Sequence, residues 1–142
     1  MLSIRKAGLE DMDWVNAQYQ KISFQLSNYS NELIAIADVS GERAGVGRLV
    51  TINANALELG GMYVLKAFRK HSIARSIVKF LLSQVEGKTL YCLAFEHLQD
   101  FYKSCGFAPV TNLEHVPEKV LQKWEWCNKT YPSKTLLLIQ EV

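Results

Sequence analysis

Phe68 to Leu82 reads FRKHSIARSIVKFLL, and its first residues have the types and the place to do chemistry. Arg69, Lys70 and His71 set three basic or potentially basic groups where helical spacing begins. The leading N–H groups of a helix lack partners within it, and the aligned peptide dipoles add partial positive charge there. Such an entrance suits an anion, with a pyrophosphate as the natural guest. The competing reading is a solvated loop whose basic side chains bind nothing.

Histidine titrates near neutrality, so His71, His97 and His115 are further candidates. His97 stands out because it directly follows an apolar strand-like run, at the edge of any site that run flanks. Cys92 and Cys105 sit among apolar neighbours and read as small core residues rather than nucleophiles. With Cys127 the cysteines are odd in number and widely spaced, which fits reduced thiols, and no zinc-ligand spacing is present. The chemistry expected therefore involves no metal and no covalent enzyme intermediate.

These residues need a frame. Leu2 to Arg5 alternates as a short strand, and from Leu9 the residues Met12, Val15, Tyr19 and Ile22 recur at helical spacing. Phe24 to Asn31 is polar and aromatic without a period, either a short helix or a loop over a site. Leu33–Val39, Val46–Ile52 and Ala56–Val64 are β-prone runs separated by short turns, an antiparallel meander. Gly60-Gly61 predicts an irregular end to the third run. Ile73, Ala74, Ile77, Val78, Leu81 and Val85 form one apolar helical face, with Gly87 placed to stop it. Thr89–Ala94 is a strand, Phe95–Ser104 a helix, and Cys105-Gly106-Phe107 a glycine stop leading into a further strand. Pro117 opens a helix through about Cys127, in which Val120, Leu121 and Trp124 are core, and Thr135–Ile139 is the last strand. The fold class is α+β, around a mixed sheet.

A chain of 142 residues with 49% hydrophobic and 21% charged residues is expected to form one domain, residues 1–142, with a core of its own. A net charge of +2 is too small for a nucleic-acid binder, which needs many clustered phosphate contacts. Apolar stretches are too short for a membrane span, and Arg5-Lys6 with the acidic residues after it do not read as a signal peptide. The expected setting is cytoplasmic, with no nucleic-acid or membrane partner. Sheet edges leave a homodimer possible in principle.

The stretch YVLKAFRKHSIARSIVKFLL after a strand, followed by FYKSCGF, resembles the GNAT superfamily of acetyl-CoA-dependent N-acetyltransferases. Its members share a mixed, mostly antiparallel central sheet flanked by helices, and an Arg/Gln-x-x-Gly-x-Gly/Ala sequence opens the helix that holds the CoA pyrophosphate. Arg69-Lys70-His71-Ser72-Ile73-Ala74 stands at that motif. Two positions depart from the pattern: Ser72 replaces the first glycine, and Phe95 replaces an asparagine found in many members seven residues before the motif tyrosine. Both bear on affinity for CoA.

The resemblance implies roles residue by residue. Arg69, Lys70, His71, Ser72, Ile73, Ala74 and Arg75 would hold the pyrophosphate, mainly through backbone amides, and Met62, Tyr63 and Val64 would lie along the pantetheine arm. The Val64 N–H would polarise the thioester carbonyl. Tyr102 matches the tyrosine that protonates the departing thiolate. Glu58, six residues before Val64, stands where some members place the general base, its rival reading being an ordinary outward-facing strand carboxylate. Phe24, Tyr29 and His97 would line the acceptor pocket. The helix after Pro117 resembles that of amino-acid acetyltransferases in the superfamily. The implied activity is acetyl transfer from acetyl-CoA to a primary amine of a small molecule or amino acid, the alternative being a non-catalytic acyl-CoA sensor or interaction module.

Overall fold

The computed structural model describes residues 1–69 and 72–140. Strands are β1 (Leu2–Lys6), β2 (Glu32–Val39), β3 (Glu42–Asn53), β4 (Ala56–Val64), β5 (Thr89–Phe95), β6 (Phe107–Pro109) and β7 (Thr135–Gln140). Helices are α1 (Met12–Lys21), α2 (Ile73–Leu82), α3 (Gln99–Ser104) and α4 (Glu118–Thr130). This is the element order expected from periodicity, and the class is α+β. The strands form a seven-stranded sheet in the order β1-β2-β3-β4-β5-β7-β6. Pairing is antiparallel for β1/β2, β2/β3, β5/β7 and β6/β7, and parallel for β4/β5.

The chain divides into two compact units, Met1–Val50 with Gly61–Gln84, and Thr51–Gly60 with Val85–Val142. In the first, β3 separates two packing faces by simple alternation. Val46 faces α1 in a core with Val15, Tyr19, Ile34 and Ile36. Gly45 and Gly47 face α2. A Cβ on Gly47 would stand 2.5 Å from Met62 Sδ and 2.7 Å from Ile77 Cγ2, so glycine here lets the helix lie against the strand backbone. Ile73, Ile77, Val78 and Leu81 are buried on that face. Each contributes roughly 1.5–3 kcal/mol of apolar burial, which fixes the direction of α2 and hence of its N-terminus.

The start of α1 is tied down electrostatically. Asp11 is 1% exposed and accepts from Arg5 Nη1 at 2.8 Å, Arg5 Nη2 at 3.0 Å, the Gly8 N–H at 2.8 Å and Arg43 Nε at 3.1 Å. Arg5 also donates to Asp38 at 2.6 Å. These contacts fasten α1 to β1 and β3.

In the second unit α4 covers one face of the strands, with Val116 and Val120 packed on Ala56, Tyr91 and Leu137. Trp124 Nε1 donates to the Thr135 carbonyl at 2.7 Å and Asn128 brackets the same residue, joining α4 to β7.

Several boundaries differ from the sequence reading. Helix α2 stops at Leu82, short of Val85: the Ser83 N–H bonds Phe80 O at 3.1 Å and the Gln84 N–H bonds Leu81 O at 2.9 Å, tightening the last turn until the helix closes. Val85 is still buried, from a turn in which Glu86 and Gly87 both have positive φ. Phe95 ends β5 instead of opening a helix, because its backbone pairs with Thr135. Helix α4 runs beyond Cys127 to Thr130. Phe24 to Asn31 is a loop closed by one 3-10 turn, Tyr29–Asn31, which settles the alternative left open above.

Candidate active site

The first unit holds the residues expected to grip a cofactor. Toward the end of β4, Gly61 takes φ +61° and its carbonyl accepts from the buried Tyr19 hydroxyl at 2.7 Å. A Cβ there would meet that hydroxyl at 2.5 Å and Arg48 Nε at 2.9 Å, so both the conformation and the space require glycine. The irregularity expected at Gly60-Gly61 is therefore present. Beyond it the Leu65 N–H bonds Ala44 O at 2.8 Å, and since successive strand amides alternate sides, the Val64 N–H points away from β3. Arg69 Nε donates to the Val64 carbonyl at 2.9 Å while its guanidinium stands 5.7 Å above the Tyr63 ring. Arg69 thus folds back on the strand end.

Ser72 precedes α2 with φ +57° and ψ +27°, the left-handed conformation that the glycine of the family motif would take without strain. Its carbonyl accepts from the Ser76 N–H at 3.2 Å, closing the first turn, while the Ile73 and Ala74 amides have no acceptor within the helix. Arg75 is exposed beside them. Lys70 and His71, named for the same role, lie outside the described residues. Ser72→Gly is expected to stabilise the fold by about 1 kcal/mol, the left-handed strain outweighing glycine's extra freedom when unfolded. A higher urea midpoint at unchanged slope is the check.

The expected acceptor residues Phe24 and Tyr29 belong to the same unit. Phe24 turns inward, half-buried against the Tyr19 core, and Tyr29 is 37% exposed with its hydroxyl 3.5 Å from Ala7 O. The sequence reading missed the residue that holds their loop. Arg48, 3% exposed on β3, donates to Ser27 Oγ at 2.7 Å and to Gln25 O at 3.2 Å, and lies 4.7 Å from the Tyr19 ring centre and 5.5 Å from that of Phe24. Ser27 Oγ in turn donates to Glu32 at 2.6 Å. The available signal was an arginine inside the apolar run VGRLV.

Glu58, Tyr102 and His97 belong to the second unit. Glu58 faces inward, 4% exposed, and accepts from Lys123 Nζ of α4 at 2.8 Å. Its other oxygen, Oε2, lies beside Gly60, 3.3 Å from where a Cβ would sit. Glu58 pairs with Tyr91 in the parallel ladder, so both face α4. Cys92, the next residue of β5, points to the opposite face, where a hydrogen bond links it to Tyr102. Burial pushes the Cys92 thiol well above its ordinary pKa, the charge of Glu58 adds to the rise, and the Tyr102 bond opposes it. Cys92 is a buried, protonated thiol in this setting. Tyr102 is 4% exposed and packs edge-on against Phe101 at 5.0 Å and Phe107 at 5.9 Å. Glu58 and Tyr102 thus approach β5 from its two faces. His97 is exposed and stacks on Phe95 at 6.0 Å, with Tyr131 edge-on to the same ring at 5.6 Å. Phe95, where many family members carry asparagine, is spent on this aromatic cluster.

The acetyltransferase (GNAT) domain family matches residues 30–109, and this chain belongs to it. N-acetylglutamate synthase from Neisseria gonorrhoeae, complexed with coenzyme A and L-arginine, superposes with a TM-score of 0.72 at 17% identity over 96% of this chain. This chain spans 32% of that synthase. Rv2747 from Mycobacterium tuberculosis, in a complex that contains CoA, gives a TM-score of 0.77 at 16% identity over 99% of each chain. The ribosomal-protein-S18-alanine N-acetyltransferase of Escherichia coli gives 0.72 at 13% identity, over 99% of this chain and 93% of that one. At these identities the likeness carries the fold. None of the curated proteins matches the sequence. Among the described residues no helix is long and apolar enough to cross a membrane.

Proposed function

We propose that this chain is a cytoplasmic, single-domain N-acetyltransferase that moves the acetyl group of acetyl-CoA directly to a primary amine of a small molecule or amino acid. The observation that carries the reading is the left-handed conformation of Ser72 at the start of α2, where the resemblance puts the pyrophosphate-binding motif. The residues fit the group: an exposed turn, amides without helical acceptors at Ile73 and Ala74, and cationic Arg75 suit a diphosphate. Acetyl-CoA supplies the activated thioester. Names of structural neighbours such as N-acetylglutamate synthase support an amino acid as acceptor.

The residues' tasks follow from the magnitudes. An amine with a pKa near 10.4 must lose its proton at pH 7, costing roughly 4–5 kcal/mol, whereas a thiol near 8.5 leaves as a tolerable thiolate. Deprotonation is the larger demand, and Glu58 is assigned to it as general base. Tyr102 donates a proton to the leaving sulfur, and the Val64 N–H, turned away from β3, binds the developing oxyanion. Nitrogen loses two protons, one from the ammonium before attack and one as the amide bond forms and the C–S bond breaks; the net products are the amide, the thiol of CoA and one proton released to water, with the proton that Tyr102 gives to sulfur replaced from the second of the two. Phe24, Tyr29 and His97 are assigned to the acceptor, which is a small molecule and not a nucleic acid or a membrane; the homodimer stays a possibility of the sheet edges alone.

The rival reading, an acyl-CoA-binding module without transfer, draws on Ser72 and Phe95 at two motif positions. Calorimetry with acetyl-CoA and a CoA-release assay across a panel of amines separate the two. Saturable binding with transfer to at least one amine is expected. Binding without transfer to any acceptor overturns the enzyme, and no binding overturns both.

A further inference from the structure

Helix α4 lays Val120, Leu121, Trp124 and Cys127 toward the strands of its unit, and in the middle of that face stands a lysine. Lys123 lies between Val120 and Cys127 on the helix surface, at the spacings of three and four residues that make helix neighbours. Nothing in the periodicity asks for a cation here. Its butyl stem can cover apolar surface while the head stays polar, and the ammonium ends 2.8 Å from Glu58 Oε1, with the two side chains 25% and 5% exposed. Lysine and carboxylate come from positions 65 residues apart.

Resting on the reading of Glu58 as general base, we propose that Lys123 is a positioning residue for that base: it holds Oε1 and leaves Oε2 beside Gly60 to receive the proton of the acceptor amine.

The physical need is specific. Glu58 is 4% exposed, and a buried charge needs a partner that meets it with a hydrogen bond. The titratable groups near it are Lys123 and Cys127 from α4, Tyr91 on the same face of β5, and Cys92 on the opposite face, whose thiol still feels the charge of Glu58. Burial raises the Tyr91 phenol, and raises both thiols with help from the charge of Glu58 itself. All three are neutral at pH 7. Among the described residues, that leaves Lys123 as the cation that compensates Glu58, and no hydrogen bond reaches Oε2. The division of the two oxygens is what a base needs: one anchored, one available. A surface lysine contributing only to stability would not have to terminate on this carboxylate.

The test is the pH dependence of kcat/KM for the full chain, with acetyl-CoA and an amine found in the acceptor panel. Glu58→Gln is expected to abolish the acid limb of the profile, which assigns that limb to Glu58. Lys123→Met and Lys123→Gln are both expected to move the limb to higher pH by about one unit, since removing a nearby opposite charge raises a carboxylate pKa. Activity then falls about tenfold on the acid side and converges with wild type at high pH. Lys123→Arg, which keeps the charge, is expected to restore the original limb. Circular dichroism and melting curves establish that each variant is folded, and the glutamine variant, which retains a donor without the charge, serves if the methionine variant does not fold. An unmoved limb in a folded Lys123→Gln or Lys123→Met variant overturns the role of Lys123 and leaves that of Glu58 standing. A limb that survives Glu58→Gln overturns the base assignment itself, and Lys123 with it.

Discussion

Tyr102→Phe is expected to lower kcat on the order of 100-fold while the affinity for CoA stays within about twofold, since a positioned general acid contributes about 10²–10⁴ in rate. The substitution deletes one hydroxyl and keeps the ring in its edge-on contacts with Phe101 and Phe107. Its structural cost is the hydrogen bond to Cys92, about 1 kcal/mol, too little to unfold a domain of this size. Steady-state kinetics and calorimetry read the two effects separately. Were binding to drop more than tenfold while turnover persisted, the hydroxyl would belong to cofactor binding and the acid assignment would be lost.

The largest effect on stability is expected at Asp11. Asp11→Ala removes a buried acceptor serving Arg5, Arg43 and the Gly8 N–H at once. Breaking a buried ion pair from one side costs about 3–5 kcal/mol. The two arginines here are 39% and 37% exposed, so water takes up part of their stranded charge, and a loss of about 2–3 kcal/mol in urea unfolding is the expectation. The pH dependence follows from the same contacts. The Arg5 guanidinium, opposed by burial and aided by the Gly8 N–H and Arg43, holds the Asp11 carboxyl well below the ordinary range. A depressed folded pKa means the unfolded chain takes up the proton first. The stabilisation is therefore fully present above about pH 4 and drains away as pH falls below that value. Asp11→Asn should be less stable at neutral pH and should show a flatter loss of stability below pH 4; an unchanged acid slope would show that Asp11 does not control it.

Much of the frame was legible because its signals are local. The face of α2 is written in Ile73, Ile77, Val78 and Leu81, and the three strands β2 to β4 in alternation between short turns. Boundaries were less legible where the backbone chose between near-equal options. Val85 carries the apolar character of the α2 face and is buried, yet it sits past a helix end closed by tightened bonds at Ser83 and Gln84. Phe95 reads equally well as the start of a helix or the end of a strand, and its pairing with Thr135 decided the matter.

Sequence alone determined the order of elements and the apolar face of α2, because each depends on residues within a few turns of chain. Tertiary structure alone decided that Glu58 faces inward onto Lys123 and that Arg48 clasps the loop at Ser27. Such pairs join side chains far apart in sequence, and which of them meet is set by strand register and by the angle at which a helix settles on a sheet. No period or spacing in the chain encodes that choice; the packing that makes the core makes it.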